Sequence, residues 1–289
     1  MVRPTPGRLT LISNQARDLN HFGDTIWSEL RKEAEEALIK APMLAPLFVD
    51  SVLNQSSLEA AVFYRVSARL KNDVVSLPLL SDTFARAAEA DATLAEALRA
   101  DIAAVVERDP ATERFIEPFL YFKGFHAIQT HRLAHWLWHK GERDFALYLQ
   151  SRSSDVFQTD IHPAARFGQG VFLDHATGLV VGETAQVEDD VSLLQNVTLG
   201  GTGKESGDRH PKIRRGAMVG AGAKILGNIE IGAHSRIAAG SVVLRNVPPF
   251  STVAGIPARV IRLAPDGADR RGPDEILKTL AYESFDYSI

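Results

Sequence analysis

Residues 213–243, IRRGAMVGAGAKILGNIEIGAHSRIAAGSVV, decide the fold, because a bulky aliphatic residue returns at every sixth position. Glycine or another small residue usually follows the bulky one, as in Val219-Gly-Ala-Gly-Ala-Lys. A six-residue period fits neither an α-helix nor a β-hairpin, and it is typical of a parallel β-helix in which each repeat is one short strand and a turn. The bulky side chain fills the interior of the coil, glycine supplies the turns, and backbone hydrogen bonds between coils about 4.8 Å apart hold the stack together.

The same period extends outward from this stretch in the N-terminal direction. The thirteen bulky positions are Ile161, Phe167, Leu173, Val181, Val187, Leu193, Leu199, Ile213, Val219, Ile225, Ile231, Ile237 and Val243. The step of eight residues between Leu173 and Val181 predicts a local bulge. The glycine-rich, charged stretch between Leu199 and Ile213 predicts a loop that projects from the coil, and such loops on a rigid scaffold often carry functional residues.

The residues before Asp160 follow a helical period instead. Asp24 is a candidate N-cap, Ser56 and Glu59 have the spacing of a capping box, and Gly141 is a candidate C-terminal cap. The sequence therefore predicts an α+β protein, with an all-helical N-terminal domain followed by a parallel β-helix. The predicted segments are an N-terminal extension (1–23), a helical domain (24–158), a β-helix domain (159–262) and a flexible C-terminal tail (263–289).

Composition excludes several classes of protein. The 289 residues are 45% hydrophobic and 24% charged, with a net charge of −4, which is typical of a globular protein and not of a nucleic-acid binder. No apolar run reaches the roughly 20 residues of a membrane span, and the N-terminus has no apolar core before a cleavage site, so we expect a cytoplasmic protein. The absence of cysteine excludes disulfides, thiolate metal sites and cysteine nucleophiles.

Polar residues that a stack of coils does not need cluster around the repeats, in the strings DIHP, LDHATG and DRHPK. A histidine beside a carboxylate can deprotonate an alcohol near neutral pH, because the carboxylate fixes the tautomer and stabilises the imidazolium. His175 is therefore a candidate general base, with Asp160 as its orienting partner. The spacing alone equally allows His175 to form hydrogen bonds within a turn, so both interpretations stay open.

The other histidines favour structural roles. His162 and His234 lie beside or within turns, and we interpret both as solvated turn residues. Four further histidines share a helical stretch with Trp136 and Trp138 but have no matching carboxylates, which favours helix packing over metal binding. These four are His126, His131, His135 and His139.

Residues 160–261 resemble the catalytic domain of bacterial and plant serine acetyltransferases. The strings that carry the likeness are DIHPAARFGQG, LDHATGLVVGETA, NVTLGGTGKESGDRHPKI, VGAGAKILGNIEIG and VPPFSTVAGIPARV. Hexapeptide repeats alone indicate the acyltransferase superfamily, whereas LDHATG and DRHPKI are far more specific to the serine enzymes. ERDP and FKGFHAIQ extend the likeness into the helical half, to about residues 24–262. The family fold is a left-handed β-helix, an exception to the right-handed crossover rule.

The resemblance implies the reaction and its residues. The family transfers an acetyl group from acetyl-CoA to the serine hydroxyl, without a metal, in the first step of cysteine biosynthesis. The catalytic base of the family falls on His175 and its partner on Asp160. The matching serine pocket would hold the ammonium with carboxylates and the carboxylate with a guanidinium and an imidazole. These pocket positions are Asp109, Asp174, Arg209 and His210.

The resemblance also implies an assembly and its ligands. The family binds coenzyme A between adjacent β-helices of a trimer, and Arg236 could either meet a phosphate or be solvated. The matching positions are Gly201, Thr202, Ala221, Arg236 and Ala239. The helical domain of the family pairs two trimers into a hexamer, and L-cysteine inhibits at the serine site. A C-terminal isoleucine, matched here by Ile289, inserts into the active site of cysteine synthase.

Three other functions remain compatible with the sequence. Another hexapeptide acetyltransferase, with a sugar or a different amino acid as acceptor, would share the fold and the base, although Asp109 argues against it. A metalloenzyme of the γ-carbonic-anhydrase type would use His175 and His210, but a third histidine ligand is not evident. A catalytically silent scaffold that regulates cysteine synthase through its tail is disfavoured by the complete set of polar residues.

Overall fold

A computed structural model describes residues 19–204 and 206–263, and it confirms a helical region followed by a parallel β-helix. The chain divides into two compact units, Met1–Phe122 and Lys123–Ile289. The predicted tail with Ile289, and most of the predicted N-terminal extension, lie outside the described residues.

The first unit is helical throughout its described part. Its helices are α1 (Leu19–Lys40), α2 (Ala45–Phe48), α3 (Leu58–Leu70), α4 (Leu77–Ala90), α5 (Thr93–Arg108) and α6 (Ile116–Leu120), with a 3₁₀ turn at Pro42–Leu44 and a π-helical turn at Val49–Leu53. No helix in the described ranges has both the length and the apolar character needed to cross a bilayer.

Two predicted helix starts differ from the structure by a few residues. Helix α3 begins at Leu58, and its N-cap is Ser57, whose hydroxyl accepts the Ala60 N–H at 3.2 Å, so the predicted capping box at Ser56 is one residue too early. Helix α1 begins at Leu19, which places Asp24 inside the helix and not at its cap. Neighbouring polar residues are all chemically able to cap, and packing selects among them.

The second unit begins with helices α7 (Lys123–His139) and α8 (Arg143–Phe157). Gly141 has a φ of +84°, and its N–H donates to Trp138 O while the Glu142 N–H donates to Leu137 O. This pair of bonds is the Schellman motif, so the predicted glycine cap is confirmed.

Helix α7 is fastened to the first coil of the β-helix. The Arg132 guanidinium donates to Gly168 O at 2.8 Å, and His135 Nδ1 donates to Pro163 O at 2.7 Å. His131 is buried with its ring 4.8 Å from that of Phe167, in an edge-on contact. The secondary structure changes at Gln158, as the sequence predicts, but these contacts place α7 and α8 in the same compact unit as the coils.

The β-helix follows from Thr159. Its strands are β1 (Thr159–Ile161), β2 (Arg166–Phe167), β3 (Phe172–Leu173), β4 (Leu179–Val181), β5 (Gln186–Val187), β6 (Ser192–Leu193), β7 (Thr198–Gly200), β8 (Lys212–Ile213), β9 (Met218–Val219), β10 (Lys224–Leu226), β11 (Glu230–Ile231), β12 (Arg236–Ile237), β13 (Val242–Val243), β14 (Ser251–Gly255) and β15 (Ala258–Leu263). Three parallel sheets form the walls, and β15 closes the last one by antiparallel pairing with β14.

The predicted bulky positions form the interior of the coil. Twelve of the thirteen are at most 4% exposed, and Phe167 is partly buried against them. Val181 pairs with Leu199 and Ile225 with Val243, so one coil takes eighteen residues, or three hexapeptides.

The strand register locates the two irregularities. Leu173 pairs with Leu193, twenty residues on, and Leu193 pairs with Val219, twenty-six residues on. The first coil therefore accommodates two additional residues in the turn after β3, and the second accommodates eight in the loop after β7. Both insertions leave the interior stack in register.

The interior stack predicts where substitutions are costly. Ile225→Ala should lower the free energy of unfolding by roughly 2–5 kcal/mol, because Ile225 is fully buried (0% exposed) and its loss leaves a cavity. Leu244→Ala, at a position 51% exposed, should stay within about 0.5 kcal/mol of the wild type. Urea unfolding followed by circular dichroism measures both; equal losses in the two variants would contradict this account of the core.

Candidate active site

The turn between β3 and β4 carries His175 and contains the two additional residues. His175 and Ala176 adopt left-handed backbone conformations, with φ of 52° and 58°, and Gly178 follows with φ of 74°. A left-handed non-glycine residue costs on the order of 1–2 kcal/mol, so tertiary contacts must hold this turn. Ala176 is completely buried in the coil, whereas the His175 side chain is 75% exposed. The turn therefore directs the imidazole outward.

Two predicted carboxylates lie on either side of this turn. Asp174 Oδ1 lies 3.8 Å from His175 Nε2. Asp160, the predicted orienting partner, is exposed in β1 and accepts a hydrogen bond from Gln150 Nε2 at 2.6 Å. Asp160 pairs in register with Val180, which is exposed on the same outer face two residues beyond Gly178. Among the described residues, Asp174 is a carboxylate within 4 Å of the imidazole, and the pairing of Asp160 with His175 stays a prediction.

A second polar cluster lies at the other end of β4, where the long loop returns to the coil. Arg209 Nη2 donates to Glu183 Oε2 at 2.8 Å, and this hydrogen bond lowers the pKa of Glu183. Thr184 Oγ1 accepts the backbone N–H of Arg209 at 3.0 Å and that of His210 at 3.2 Å. Glu183 and Thr184 therefore anchor the end of the loop and orient the guanidinium.

His210 is a buried imidazole whose contacts define the tautomer of its neutral form. Its ring is 7% exposed and lies against Gly182, where any Cβ would overlap it. Burial, and then the Arg209 cation, hold the pKa of His210 below its usual value. The Thr184 N–H donates to Nδ1 at 3.2 Å, so Nδ1 carries no proton and the proton of the neutral ring lies on Nε2. His210 therefore offers an Nε2–H donor.

His162 lies one coil away from this cluster and is half-buried, in contrast to the predicted solvated residue. Its ring meets Trp138 edge-on at 5.2 Å, and Nδ1 accepts the Ala164 N–H at 3.1 Å. Burial lowers the pKa of His162, and the nearby Glu183 carboxylate partly opposes this shift. His234, by contrast, is exposed in a turn with φ of 56°, as predicted.

Asp109 belongs to the first compact unit, just after helix α5. Its Oδ1 accepts the Ala111 N–H at 2.9 Å, and its Oδ2 accepts the Thr112 hydroxyl at 2.8 Å. These bonds make it a turn-forming residue, and its predicted role toward serine stays a prediction.

The two halves of the predicted serine pocket are separated within one chain. Asp174 and His175 precede strand β4, and Arg209 and His210 lie beside residues 182–184, which follow it. From Gly178 to Gly182 the strand advances four residues, about 13 Å at 3.3 Å per residue. The two halves are therefore about 13 Å apart along the strand of one chain.

The predicted coenzyme A positions also fall into two groups. Ala221 and Ala239 lie one coil apart in the same corner, where the Gly240 N–H donates to Ala221 O at 2.8 Å. A Cβ at Gly220 would meet the Ala239 nitrogen at 2.7 Å, so the coils approach closely there. Gly201 and Thr202 begin the long loop after β7, at the opposite end of the first sheet, which consists of β1, β4, β7, β10 and β13. Arg236 is half-buried in β12.

Two residues of the site, Gly182 and Thr184, were not predicted from the sequence. Glu183 does carry a signal in the sequence, because it stands where the repeat expects a small residue. Gly182 and Thr184 read as ordinary turn residues, because their contacts with His210 bridge 26 to 28 positions of sequence. In the described part of the chain, no three His, Asp or Glu side chains are grouped so as to hold a metal ion.

Comparison with known proteins identifies relatives of this chain. Residues 26–130 match the family model "Serine acetyltransferase, N-terminal", and residues 210–245 match "Bacterial transferase hexapeptide (six repeats)". The serine acetyltransferase of Salmonella typhimurium is 49% identical over 251 residues, covering 87% of this chain and 91% of the relative.

Solved structures give the same result. The serine acetyltransferase of Brucella abortus strain S19 in complex with coenzyme A is 62% identical, with a TM-score of 0.82, covering 83% of this chain and 96% of that one. A serine acetyltransferase in complex with cysteine is 49% identical, with a TM-score of 0.81, covering 82% and 99%.

The fold and the second polar cluster define a hexapeptide-repeat transferase, in which a rigid coil presents polar residues at its corners. Within that class the likeness runs through both halves of the molecule. The chain belongs to the serine acetyltransferase family.

The environment of His210 predicts its titration. The imidazole should titrate below the usual value of about 6.5, so its contribution to stability is fully present above that pH and is lost as the pH falls through the lowered pKa. Gly182→Ala should move the ring into water and return the pKa toward 6.5, whereas Thr184→Ser should leave it lowered. NMR of ¹³C-labelled histidine measures both, and an unshifted titration in Gly182→Ala would contradict the proposed contact.

Proposed function

We propose that this chain transfers the acetyl group of acetyl-CoA to the hydroxyl of L-serine, giving O-acetylserine and coenzyme A in the first step of cysteine biosynthesis from serine. One observation carries the proposal: a chain 62% identical to a coenzyme A-bound serine acetyltransferase presents an exposed imidazole and a guanidinium–imidazole pair on its β-helix. These are the groups that an alcohol nucleophile with a carboxylate requires.

Recognition of serine uses both of its charges. Arg209 has donors beyond those that bind Glu183 and Gly207, and with the His210 Nε2–H it would bind the serine carboxylate. Asp174 and Asp109 would hold the ammonium. Such a pocket rejects alcohols that lack either charge, because its own polar groups would then be left unpaired.

The chemical step is direct transfer. His175 takes the proton of the serine hydroxyl while the oxygen attacks the thioester carbonyl, and a tetrahedral oxyanion forms. The oxyanion collapses, the carbon–sulfur bond breaks, and the leaving thiolate receives the proton from the imidazolium. A positioned base of this kind contributes about 10²–10⁴-fold. The chain has no cysteine to carry the acetyl group as a thioester, which favours direct transfer.

Asp160 would orient the imidazole. It lies on the outer face of the first sheet beside Val180, next to the strand that follows the His175 turn. Its hydrogen bond to Gln150 restrains the carboxylate, which remains acceptor-rich.

Coenzyme A would lie along the corners of the coil. Small residues at Ala221 and Ala239 leave the backbone open to the pantetheine arm, and Gly201 with Thr202 lies at the opposite end of the sheet. Arg236 is the proposed contact for a phosphate. Because the two groups of positions are separated within one chain, the groove would form between the β-helices of neighbouring chains.

The active oligomer would be a dimer of trimers. The separation of His175 from Arg209 by strand β4 supports the trimer, since the other half of each pocket would come from the adjacent chain. The helical part would join the trimers into a hexamer.

Regulation and partners follow from the same pocket. L-cysteine has the ammonium and carboxylate of serine, and a relative with 49% identity has been solved with cysteine bound, so we propose feedback inhibition at the serine site. We also propose that Ile289 binds cysteine synthase and that the enzyme works in the cytoplasm.

Thiol release from acetyl-CoA tests the reaction. Wild type should release thiol when L-serine is added, without added metal, and His175→Ala should lose about 10²–10⁴-fold in kcat. His234→Ala is a matched control, because His234 is another exposed imidazole in a left-handed turn, with φ of 56° against 52°. The control should keep wild-type kcat.

Two results would contradict this proposal. Absence of serine-dependent release in the wild type would turn attention to other acceptors, and near-normal turnover in His175→Ala would exclude it as the base. A loss of activity in His234→Ala equal to that in His175→Ala would point to a general effect on the coil.

Mixing inactive variants tests the shared pocket. If His175 of one chain works with Arg209 of its neighbour, subunits of His175→Ala and Arg209→Ala refolded together at equal amounts should regain about a quarter of wild-type activity. Each variant refolded alone should stay inactive. Failure of the mixture to recover activity, with mixed oligomers verified by mass spectrometry, would place the complete pocket within one chain.

A further inference from the structure

The first two residues of helix α7 contact both flanks of the His175 turn. Lys123 Nζ donates to Thr177 Oγ1 and, at 3.1 Å, to Gln158 Oε1. Gly124 lies so close to Leu173 O that a Cβ would overlap it. Leu173 precedes and Thr177 follows the residues 174–176, so the start of the helix holds the turn at two points.

Backbone hydrogen bonds converge on the same place. The Gly178 N–H donates to Gln158 O at 2.8 Å, and the Asn196 N–H donates to Thr177 O at 2.7 Å. Thr177 is therefore held through its carbonyl by the next coil and through its hydroxyl by Lys123. Of these two hydrogen bonds to Thr177, the one from Lys123 is charge-assisted, and its donor belongs to helix α7 and not to the β-helix.

We infer that Lys123 is a positioning residue for the reaction: its ammonium fixes Thr177 and thereby the left-handed turn that aims His175 at the serine hydroxyl. This inference rests on the proposed function, which makes His175 the base. Lys123 acts through the turn, and its effect is on the orientation of the imidazole. Left-handed residues return readily to ordinary conformations once their support is removed, so loss of this contact should release His175.

Kinetics of three variants test the inference. Lys123→Met removes the charge and all three donors at similar length, and kcat should fall about 10- to 100-fold, because a small misplacement of a reacting group has effects of that size. KM for acetyl-CoA should change by less than about twofold, since the residues proposed to bind it lie outside this turn. Lys123→Arg should restore most of kcat.

Lys140→Met is the matched control beyond the other end of helix α7. Lys140 lies just after the opposite end of α7, and its ammonium lies 5.6 Å from the Trp136 ring centroid. This variant should keep wild-type kcat. Because Lys123 is only partly buried and its hydrogen bond to Thr177 is exposed, both lysine variants should unfold within about 2 °C of the wild type, an expectation typical of surface substitutions.

A double-variant cycle and hydrogen exchange complete the test. Thr177→Val should lower kcat as Lys123→Met does. The double variant should lose no more kcat than the worse single variant, because both substitutions remove the same contact between Lys123 and Thr177. In Lys123→Met the amides of Gly178 and Leu179 should exchange faster with solvent, a readout that does not require activity.

The outcomes separate this inference from the reaction itself. An active wild type with unchanged kcat and unchanged exchange in Lys123→Met overturns the positioning role and leaves the reaction standing. Additive losses in the double variant, or an equal loss in Lys140→Met, also overturn it. If the wild type releases no thiol with serine, the proposed reaction fails, and exchange at Gly178 and Leu179 alone then decides whether Lys123 holds the turn.

Discussion

The stacking of one aliphatic side chain per hexapeptide is the interaction on which the second half of this molecule depends. Val181, Leu199, Ile225 and Val243 lie above one another in successive coils, and all are at most 2% exposed. Each contributes burial of roughly 1.5–3 kcal/mol, and the sheets add a ladder of parallel hydrogen bonds. Such a stack tolerates no change of register in its interior, so additional residues must leave the coil at a corner.

That constraint explains where the polar residues are. In the turn with the two-residue insertion, at one end of β4, Ala176 is buried and His175 is exposed. The loop with the eight-residue insertion ends at Arg209 and His210, beside the other end of β4. Both insertions are tied back by contacts at their ends, to Lys123 in the first case and to Glu183 and Thr184 in the second. His175, Arg209 and His210 thus lie where the repeat is interrupted, on a scaffold whose interior stack keeps its register.

The hexapeptide coil was predictable because each repeat encodes its own strand and turn within six residues, and the bulky positions are buried as the period requires. The sequence did not predict that α7 belongs to the same compact unit as the β-helix. The contacts that place it there, Gly124 with Leu173 and Arg132 with Gly168, join residues 36 to 49 positions apart. Local signals also misplaced the cap of α3 by one residue, since Ser56 and Ser57 are equally able to cap. Candidate site residues came from motif strings, but the neutral His210 and its supports Gly182 and Thr184 appear only in three dimensions.

The exposure of His175 suggests a physical reason why the His175 turn and the Arg209–His210 cluster are separated within one chain. An imidazole with 75% of its side chain in water gains little from nearby charges, because water screens them and must reorganise as charge develops. In the proposed trimer, the β-helix of the neighbouring chain would cover this ring. It would bring its own His210, which is 7% exposed, and its Glu183-oriented Arg209 to face it. Assembly would then supply desolvation and the carboxylate-binding half of the pocket in one step. In this proposal the base would stay exposed to water until a second copy completes the site, which would couple catalysis to oligomerisation through geometry.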